Sequence, residues 1–373
     1  MSRLRLAVIG VGHLGKIHAK LAAGIPEIEL VAVVDSRPEA REALAKETGA
    51  RPVAHVRELI GEIDGAVVVT PTVTHFDVAS ELMRAGVHVF VEKPITPTVR
   101  EADELVQLAR RRQLVLQVGH VERFNPALVS VQDRLQEPKF IEARRQSGFT
   151  FRSTDVGVIM DLMIHDIDVV LSLVKAPLAC VDAVGVSVLG DHEDMVSARL
   201  HFANGAVANI TASRTSYAPA RTMQVYTPTR FASIDFASRK ATIVEPRLDL
   251  LQRDFHLNDL SEATRSHLRE QLFSELLVKS EVPAVESNAI EQEQRDFAEA
   301  IRTGRQPRVT GVDGRDAVAV AERVLSAVRQ HQWDGADSRR VGHLASPMLP
   351  LPMVATMDDW ATDDTVILRR KAG

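Results

Sequence analysis

The sequence predicts a doubly wound α/β domain with a parallel sheet, followed by an α+β domain built on an open, mainly antiparallel sheet. Three observations carry that prediction. Up to about residue 120, short apolar runs alternate with helical patterns. From about residue 135, strand-like runs follow one another with few helices between them. A chain of 373 residues also has room for two domains at about 150 residues each.

In the first half the apolar runs are residues 4–9, 30–34, 66–69, 87–91 and 114–118. Each is rich in Val, Ile and Leu with few charges, as strands buried on both faces must be. Helical patterns fill 14–23, 38–48, 74–85 and 98–112. Gly24, Gly49 and Gly86 stand after the first three, where a left-handed residue ends a helix at little cost. Arg110, Arg111 and Arg112 close the fourth, where positive charge meets the helix dipole. A helix over about 157–174 interrupts the two halves. The later strands are 140–146, 179–189, 196–203, 206–213, 223–226 and 241–244. Between two of them Asn204-Gly205 predicts a type I′ hairpin, because both residues tolerate positive φ. Helical patterns return at 260–277, 289–303 and 314–331, and a late helix is free to pack back on the first domain. From Trp333 onward Pro347, Pro350 and Pro352 punctuate an irregular tail. The expected domains are therefore 1–120 and 121–331, with a tail over 332–373.

Composition narrows the function classes. Hydrophobic residues make up 45% and charged residues 25%, which excludes general disorder. A net charge of −5 and a pI near 6.2 advertise no nucleic-acid or anionic-membrane surface. The single cysteine, Cys180, excludes an intrachain disulfide and a cysteine-rich zinc site, and fits a reducing compartment. No run of about 18 apolar residues suggests a membrane span, and the first residues read as a strand rather than a signal peptide. The expectation is a soluble, cytoplasmic protein without a metal.

Residues 6–9 run into Gly10-Val11-Gly12-His13-Leu14-Gly15, where a helix opens. Alone, a GxGxxG is a weak signal. Here it follows a strand and opens a helix, and Asp35 ends the second strand 20 residues after Gly15. That context is the dinucleotide fingerprint of a Rossmann domain. Gly10 permits the tight turn, Gly12 lets the backbone approach a pyrophosphate, and Gly15 lets helix and strand pack closely. Amides near His13 and Leu14 meet the anion at the positive end of the helix. The Asp35 carboxylate suits the two ribose hydroxyls of NAD. A 2′-phosphate about 4 Å away would cost on the order of 4 kcal/mol per charge pair at an effective dielectric near 20, which favours NAD over NADP. Arg37 either offsets part of this or simply opens the second helix in solvent.

The strand at 87–91 runs into Glu92-Lys93-Pro94, at the carboxyl edge that lines the ligand crevice of such a sheet. On this segment alone Lys93 reads as a surface lysine, and the isomer of its bond to Pro94 stays open. Asp161 and His165 lie four apart and share a helix face. An Asp there can fix the imidazole tautomer, and a neutral His can accept the hydroxyl proton as an alcohol is oxidised. The same pair also reads as a plain helix-stabilising contact. Asp166 and Asp168 read as surface or capping residues. His120 and Glu122 with His165 imitate a metal site, but one Cys and no helical HxxxH pair argue against zinc. His192 and His201 read as ordinary surface or core histidines.

Together, Gly10–Gly15, Thr70-Pro71-Thr72 with His75, Glu92-Lys93-Pro94, and Asp161 with His165 resemble the Gfo/Idh/MocA oxidoreductases, over about residues 4–331. The resemblance implies a Rossmann domain plus an open sheet that carries substrate on one face and often a subunit interface on the other. It implies NAD or NADP as cofactor and a sugar or cyclitol derivative as substrate. It also implies Lys93 at the reacting oxygen, His165 as acid/base and Asp161 as its support. Thr70, Thr72 and His75 would lie near the nicotinamide-side ribose, and Glu92 beside the nicotinamide.

A narrower likeness runs through Gly119-His120-Val121-Glu122-Arg123-Phe124-Asn125-Pro126, then Asp155-Val156-Gly157-Val158 and Asp161-Leu162. These resemble the UDP-N-acetylglucosamine 3-dehydrogenase branch, which implies oxidation of a sugar-nucleotide C3 hydroxyl to a 3-keto sugar for a partner aminotransferase. Arg123, Asn125, Arg152 and Asp155 are the candidate substrate contacts, with loop and cap chemistry as the alternative for each. The resemblance also implies a homodimer or homotetramer. Two other functions compete: a redox-neutral sugar hydrolase or lyase working through a transient ketone, and a non-catalytic NAD-sensing regulator. Retention of Lys93, Asp161 and His165 together argues against the regulator.

Overall fold

The computed structural model describes residues 3–151, 156–189 and 192–331. Six strands form the first sheet: β1 (Leu4–Ile9), β2 (Ile28–Val34), β3 (Arg51–Val53), β4 (Gly65–Val68), β5 (His88–Glu92) and β6 (Leu116–Gly119). All pairs are parallel, in the order β3-β2-β1-β4-β5-β6. The order reverses between β1 and β4, the switch point where ligands bind such sheets. Helices α1 (His13–Gly24), α2 (Pro38–Thr48), α3 (His75–Arg84) and α4 (Val99–Arg112) connect the strands. Strands β1 and β4 are buried along most of their length, which explains why they read as continuous apolar runs.

The second sheet has eight strands: β7 (Phe140–Gln146), β8 (Leu178–Val186), β9 (Met195–Phe202), β10 (Val207–Ser213), β11 (Ala220–Tyr226), β12 (Phe231–Asp235), β13 (Lys240–Pro246) and β14 (Leu277–Val282). Their order is β14-β13-β12-β11-β7-β10-β9-β8, antiparallel except for the β7–β10 pair. One face carries Ile141, Ala143, Val196, Leu200, Ile210, Met223 and Ile234 into the core. Against it lies a short α5 (Pro126–Val131) and then α6 (Ile164–Val174), entered through a π turn over Ile159–Met163. After α7 (Leu248–Gln252) and α8 (Glu262–Glu270), two long helices finish the described chain: α9 (Ala289–Thr303) and α10 (Gly311–Gln330). Helix α9 returns to the first sheet and seats Phe297 against Phe90, while α10 packs against α4, α6 and β8.

Several expectations needed correction. Gly24 is the last residue of α1 and the cap is an extended Ile25, so no left-handed residue ends that helix. At Asn204-Gly205 only Gly205 has positive φ (81°), and Gly205 N donates to Phe202 O. The hairpin thus closes by a three-residue loop with one left-handed glycine instead of a type I′ turn. The helical pattern at 260–277 breaks after Glu270 into a π turn, and Leu277 begins an edge strand. Strands β3 and β12 were not anticipated. The expected tail, 332–373, lies outside the described residues.

Candidate active site

The glycine loop joins β1 to α1 at the switch point. Gly10 has φ 92°, and a Cβ there would stand 2.7 Å from Val69 O. A Cβ on Gly15 would stand 1.9 Å from Gly10 O, so the first turn of α1 lies directly on the loop. Gly12 differs: nothing lies within 4 Å of where its Cβ would be, and it caps α1 without a side-chain bond. A helix N-terminus uncapped by side chains, with open space above it, fits a diphosphate. His13 and Leu14 open that helix.

Asp35 follows β2 and leans over the same loop. Its Oδ2 accepts from Val11 N at 2.9 Å and its Oδ1 from Arg37 N at 2.9 Å. Arg37 Nε adds a contact of 3.1 Å. Although burial opposes the charge, these bonds hold the Asp35 carboxyl down to about 2, so it is ionised at any working pH. This donor and acceptor set fits a dinucleotide, with the carboxylate at the end of the crevice where a ribose belongs.

The carboxyl ends of β5 and β6 form the other wall. Lys93 follows β5 and precedes a cis bond to Pro94. Its Nζ donates to Asp161 O at 2.7 Å and lies 3.4 Å from Asp161 Oδ1, across 68 residues of chain. His75 holds this turn, with Nδ1 2.9 Å from Pro94 O and Nε2 2.8 Å from Thr70 O. Each nitrogen of that buried ring faces a backbone carbonyl, and the neutral ring, with its one N–H, ties the Thr70 segment to the Lys93-Pro94 turn. Thr70 Oγ1 lies 2.8 Å from Thr74 Oγ1, and Thr72 starts the short turn before α3.

Glu92 ends β5 with its carboxylate buried and bonded within the fold. Its Oε1 accepts from His18 Nε2 at 2.8 Å and its Oε2 from Lys93 N at 3.0 Å. His18 Nδ1 lies 2.8 Å from Gln294 Nε2, and the buried Glu293 completes the cluster. No local pattern marks this group, because α1, β5 and α9 meet only in the fold.

Helix α6 brings His165 to this wall. The ring is partly buried, and its Nδ1 is buried without a partner. Burial, then the nearby positive charges of Lys93 and Arg145, hold its pKa well below the ordinary imidazole value. His165 is therefore neutral at neutral pH. Among the described residues no hydrogen bond joins Asp161 to His165, so the expected tautomer-fixing pair is corrected: Asp161 serves Lys93.

The acidic residues after His165 are not on the surface. Asp166 and Asp168 are each 1% exposed. Arg145, on β7, donates to both Asp166 oxygens at 2.9 Å and to Glu122 Oε1 at 2.8 Å. Asp168 pairs with Arg123 at 3.3 Å, and burial pushes its carboxyl up to about 7. Arg123 also donates to Arg308 O at 3.2 Å, so in this structure it is engaged in packing. Asn125 caps α5 by accepting from Ala127 N at 3.1 Å, and its amide donates to Glu122 and to Phe236 O. Both amide hydrogens and the side-chain oxygen thus bond within the fold. Arg152 and Asp155 lie outside the described residues. His120 is buried beyond β6 with both ring nitrogens unpartnered. Two sets of metal-type ligand atoms converge within 4.8 Å among the described residues: Cys180, Asp182 and His201, and the buried His18, Glu92 and Glu293. His120, Glu122 and His165 do not form such a set. No described helix is long and apolar enough to cross a membrane.

A dinucleotide crevice, an ammonium and a neutral imidazole at one sheet edge define an NAD(P)-dependent oxidoreductase. A family model described as an oxidoreductase family with an NAD-binding Rossmann fold matches residues 4–120, and a Gfo/Idh/MocA C-terminal domain model matches 127–229. The chain is 38% identical over 329 residues to a UDP-N-acetylglucosamine 3-dehydrogenase of Acidithiobacillus ferrooxidans, covering 88% of this chain and 98% of that one. The solved structure of that species' UDP-N-acetylglucosamine 3-dehydrogenase GnnA superposes with a TM-score of 0.77 at 37% identity, over 88% and 98% of the two chains. A scyllo-inositol 2-dehydrogenase (NAD(+)) of Bacillus subtilis is 30% identical, covering 57% and 68%. The chain belongs to the Gfo/Idh/MocA oxidoreductase family.

Proposed function

We propose that this protein is an NAD-dependent dehydrogenase that oxidises the C3 hydroxyl of UDP-N-acetylglucosamine to the 3-keto sugar. The observation that carries the reading is the 38% identity to an enzyme of that name along 98% of its length. The convergence of Lys93 and the Asp161–His165 segment supports it independently.

The loop Gly10–Gly15, with the first amides of α1 at His13 and Leu14, would hold the diphosphate. Asp35 would take the adenosine ribose, and Arg37 would flank the adenine. The ionised Asp35 favours NAD over NADP, because a 2′-phosphate would meet a carboxylate. Thr70 and Thr72 would line the nicotinamide-side ribose. Bound there, the dinucleotide supplies the hydride acceptor. Lys93 donates a hydrogen bond to the reacting hydroxyl oxygen and stabilises the negative charge it gains as its proton leaves. His165 accepts that proton at Nε2, its Nδ1 being the nitrogen enclosed by protein. The carbon's hydrogen departs with its electron pair, leaving the ketone. Asp161 holds Lys93 in place through its carbonyl and carboxylate. Among the substrate contacts expected from sequence, Arg123 would need to exchange Asp168 or Arg308 O for a substrate oxygen.

We also read the protein as a cytoplasmic homodimer or homotetramer that feeds an aminotransferase. The open sheet face supports the assembly: Phe140, Tyr226 and Phe231 cluster there with ring centroids 5.8 and 5.2 Å apart. The test is incubation with NAD and a panel of UDP-sugars, with and without an amino donor and aminotransferase, following reduced cofactor. Reduction with UDP-N-acetylglucosamine, enhanced by the coupled transamination, is expected. Turnover without accumulated reduced cofactor would instead mark a redox-neutral reaction.

A further inference from the structure

Of the two described sets of converging metal-type donors, only one has an imidazole lone pair to give. In the buried set the Gln294 amide donates to His18 Nδ1 at 2.8 Å and to His18 O at 3.1 Å. The hydrogen of that ring therefore stands on Nε2, 2.8 Å from Glu92, and no nitrogen is left for an ion. The other set is Cys180, Asp182 and His201, with thiol and carboxylate exposed and the imidazole half-buried. Val181 and Ala183 of β8 pack on the core, so Asp182 between them points to the open face of the second sheet. Strand β8 is the edge of that sheet.

A β-bulge brings the three donors together. Leu178 pairs with Phe202 and Cys180 with His201, so Ala179 is an extra residue in β8. Regular pairing would set Ala179 opposite His201 and turn Cys180 to the core face. The extra residue instead turns Cys180 out beside Asp182. Arg323 of α10 pins the bulge, donating to Leu178 O at 3.3 Å and to Ala179 O at 3.1 Å. The three donor atoms lie within 4.8 Å of one another, and His201 Nε2 is 3.4 Å from Asp182 Oδ2. Tetrahedral zinc spaces a nitrogen and an oxygen ligand about 3.3 Å apart and sets a sulfur about 3.5 Å from each. The imidazole and carboxylate thus already have zinc spacing, and the exposed thiol closes by at most about 1.3 Å. Arg199, paired opposite Asp182, donates instead to Asn209 Oδ1 at 3.0 Å and leaves the carboxylate available.

We propose that Cys180, Asp182 and His201 form a zinc site on the edge of the second sheet, with water in the fourth position. One thiolate, one imidazole and one carboxylate make a donor set for zinc, whereas magnesium and calcium take oxygen ligands. Binding releases the thiol proton to solvent, and the metal stays divalent. The ion ties edge strand β8 to β9 through side chains, so its effect is on the stability of that edge and not on the chemistry at Lys93 and His165. The site stands independently of the dehydrogenase reading. A single cysteine excludes a cysteine-rich zinc site, but not one in which the fold adds an imidazole from the neighbouring strand.

The test uses the full chain, stripped with a chelator and titrated with cobalt(II) as a spectroscopic stand-in, then with zinc. Expected is one cobalt per chain, with a thiolate-to-cobalt charge-transfer band and the intense visible bands of tetrahedral cobalt, both bleached as zinc displaces it. Cys180 is the only cysteine of the chain, so that band and alkylation by iodoacetamide both report on it alone. Saturating zinc slows the alkylation at least about 10-fold, because the metal holds the thiolate's lone pair. Cys180→Ser removes the band. His201→Ala weakens both metals by more than the about 10- to 100-fold that loss of an outer partner costs. Without metal the variants keep the wild-type thermal midpoint, as surface substitutions do, and with zinc only the wild type gains. Cobalt binding without the charge-transfer band, zinc affinity unchanged in Cys180→Ser, or alkylation indifferent to zinc would each overturn the proposal.

Discussion

Arg145→Met offers the sharpest check on how the wall of the site is built. The Arg145 side chain is 5% exposed and stands between Glu122 at 9% and Asp166 at 2%. Three bonds of 2.8 to 2.9 Å consume its guanidinium. Burial opposes its charge, but the two carboxylates raise its pKa further above the ordinary arginine value, so the cation is permanent. Methionine keeps much of the side chain's length and apolar volume while removing the charge. Two carboxylates then remain buried without their counter-ion, a loss worth about 3–5 kcal/mol. At about 2–4 °C per kcal/mol, the midpoint should fall by on the order of 10 °C. The sign with pH follows from the same picture. Stranded carboxylates have folded pKa values above their unfolded ones, so the native variant binds the extra protons. Its deficit against wild type therefore grows as pH rises above the unfolded carboxylate range and shrinks as pH falls. Adding Glu122→Gln and Asp166→Asn to the variant should restore most of the stability. Thermal and urea unfolding across pH 4–8 (about two units either side of 6) read all of this. A single variant within about 1 kcal/mol of wild type at neutral pH, or a deficit indifferent to pH, would refute the charge-balanced triad.

His165→Ala should lower kcat by at least about 10²-fold while NAD affinity, read by fluorescence titration, stays unchanged. Because burial and neighbouring cations keep the imidazole neutral, the acid limb of wild-type kcat/KM should fall below pH 6.5. Asp35→Ser should weaken NAD by about 10- to 100-fold through lost charge-assisted bonds and should narrow the preference over NADP. Gly15→Ala should abolish dinucleotide binding with little change in far-ultraviolet circular dichroism, because the added methyl would sit 1.9 Å from Gly10 O and push α1 off the loop.

Much of the fold was legible because local chemistry and burial agreed. The helices at Pro38–Thr48 and Ala289–Thr303 and the strand Phe140–Gln146 fall where periodicity placed them. Pro38 at the helix start and left-handed Gly49 and Gly304 at the ends reinforce the pattern. Strand β14 escaped because Val278, Lys279, Ser280 and Glu281 are exposed, so its backbone pairs with β13 while its side chains show no alternation. β3 has only three residues, too few to display any period.

The site was legible in its residue types and much less in its pairings. Spacing of four on a helix assigned Asp161 to His165, since only local neighbours are visible in a sequence. The fold brings Lys93 within 3.4 Å of that carboxylate from 68 residues away. An ammonium attracts a carboxylate by charge on charge, whereas a neutral imidazole offers only one N–H, so the lysine takes it. Asp166 looked like a surface residue for the same reason: Arg145, its partner, is 21 residues distant on another element. The consequence for chemistry is definite. Buried, with the cations Lys93, Arg145 and Arg221 close by and its nearest local acid committed elsewhere, His165 is held in its uncharged form, the form that can accept a proton. Asp161 anchors Lys93 at the sheet edge as a donor and so gives the histidine no counter-ion. The same placement that hid the pairing from sequence keeps the base unprotonated before the hydroxyl arrives.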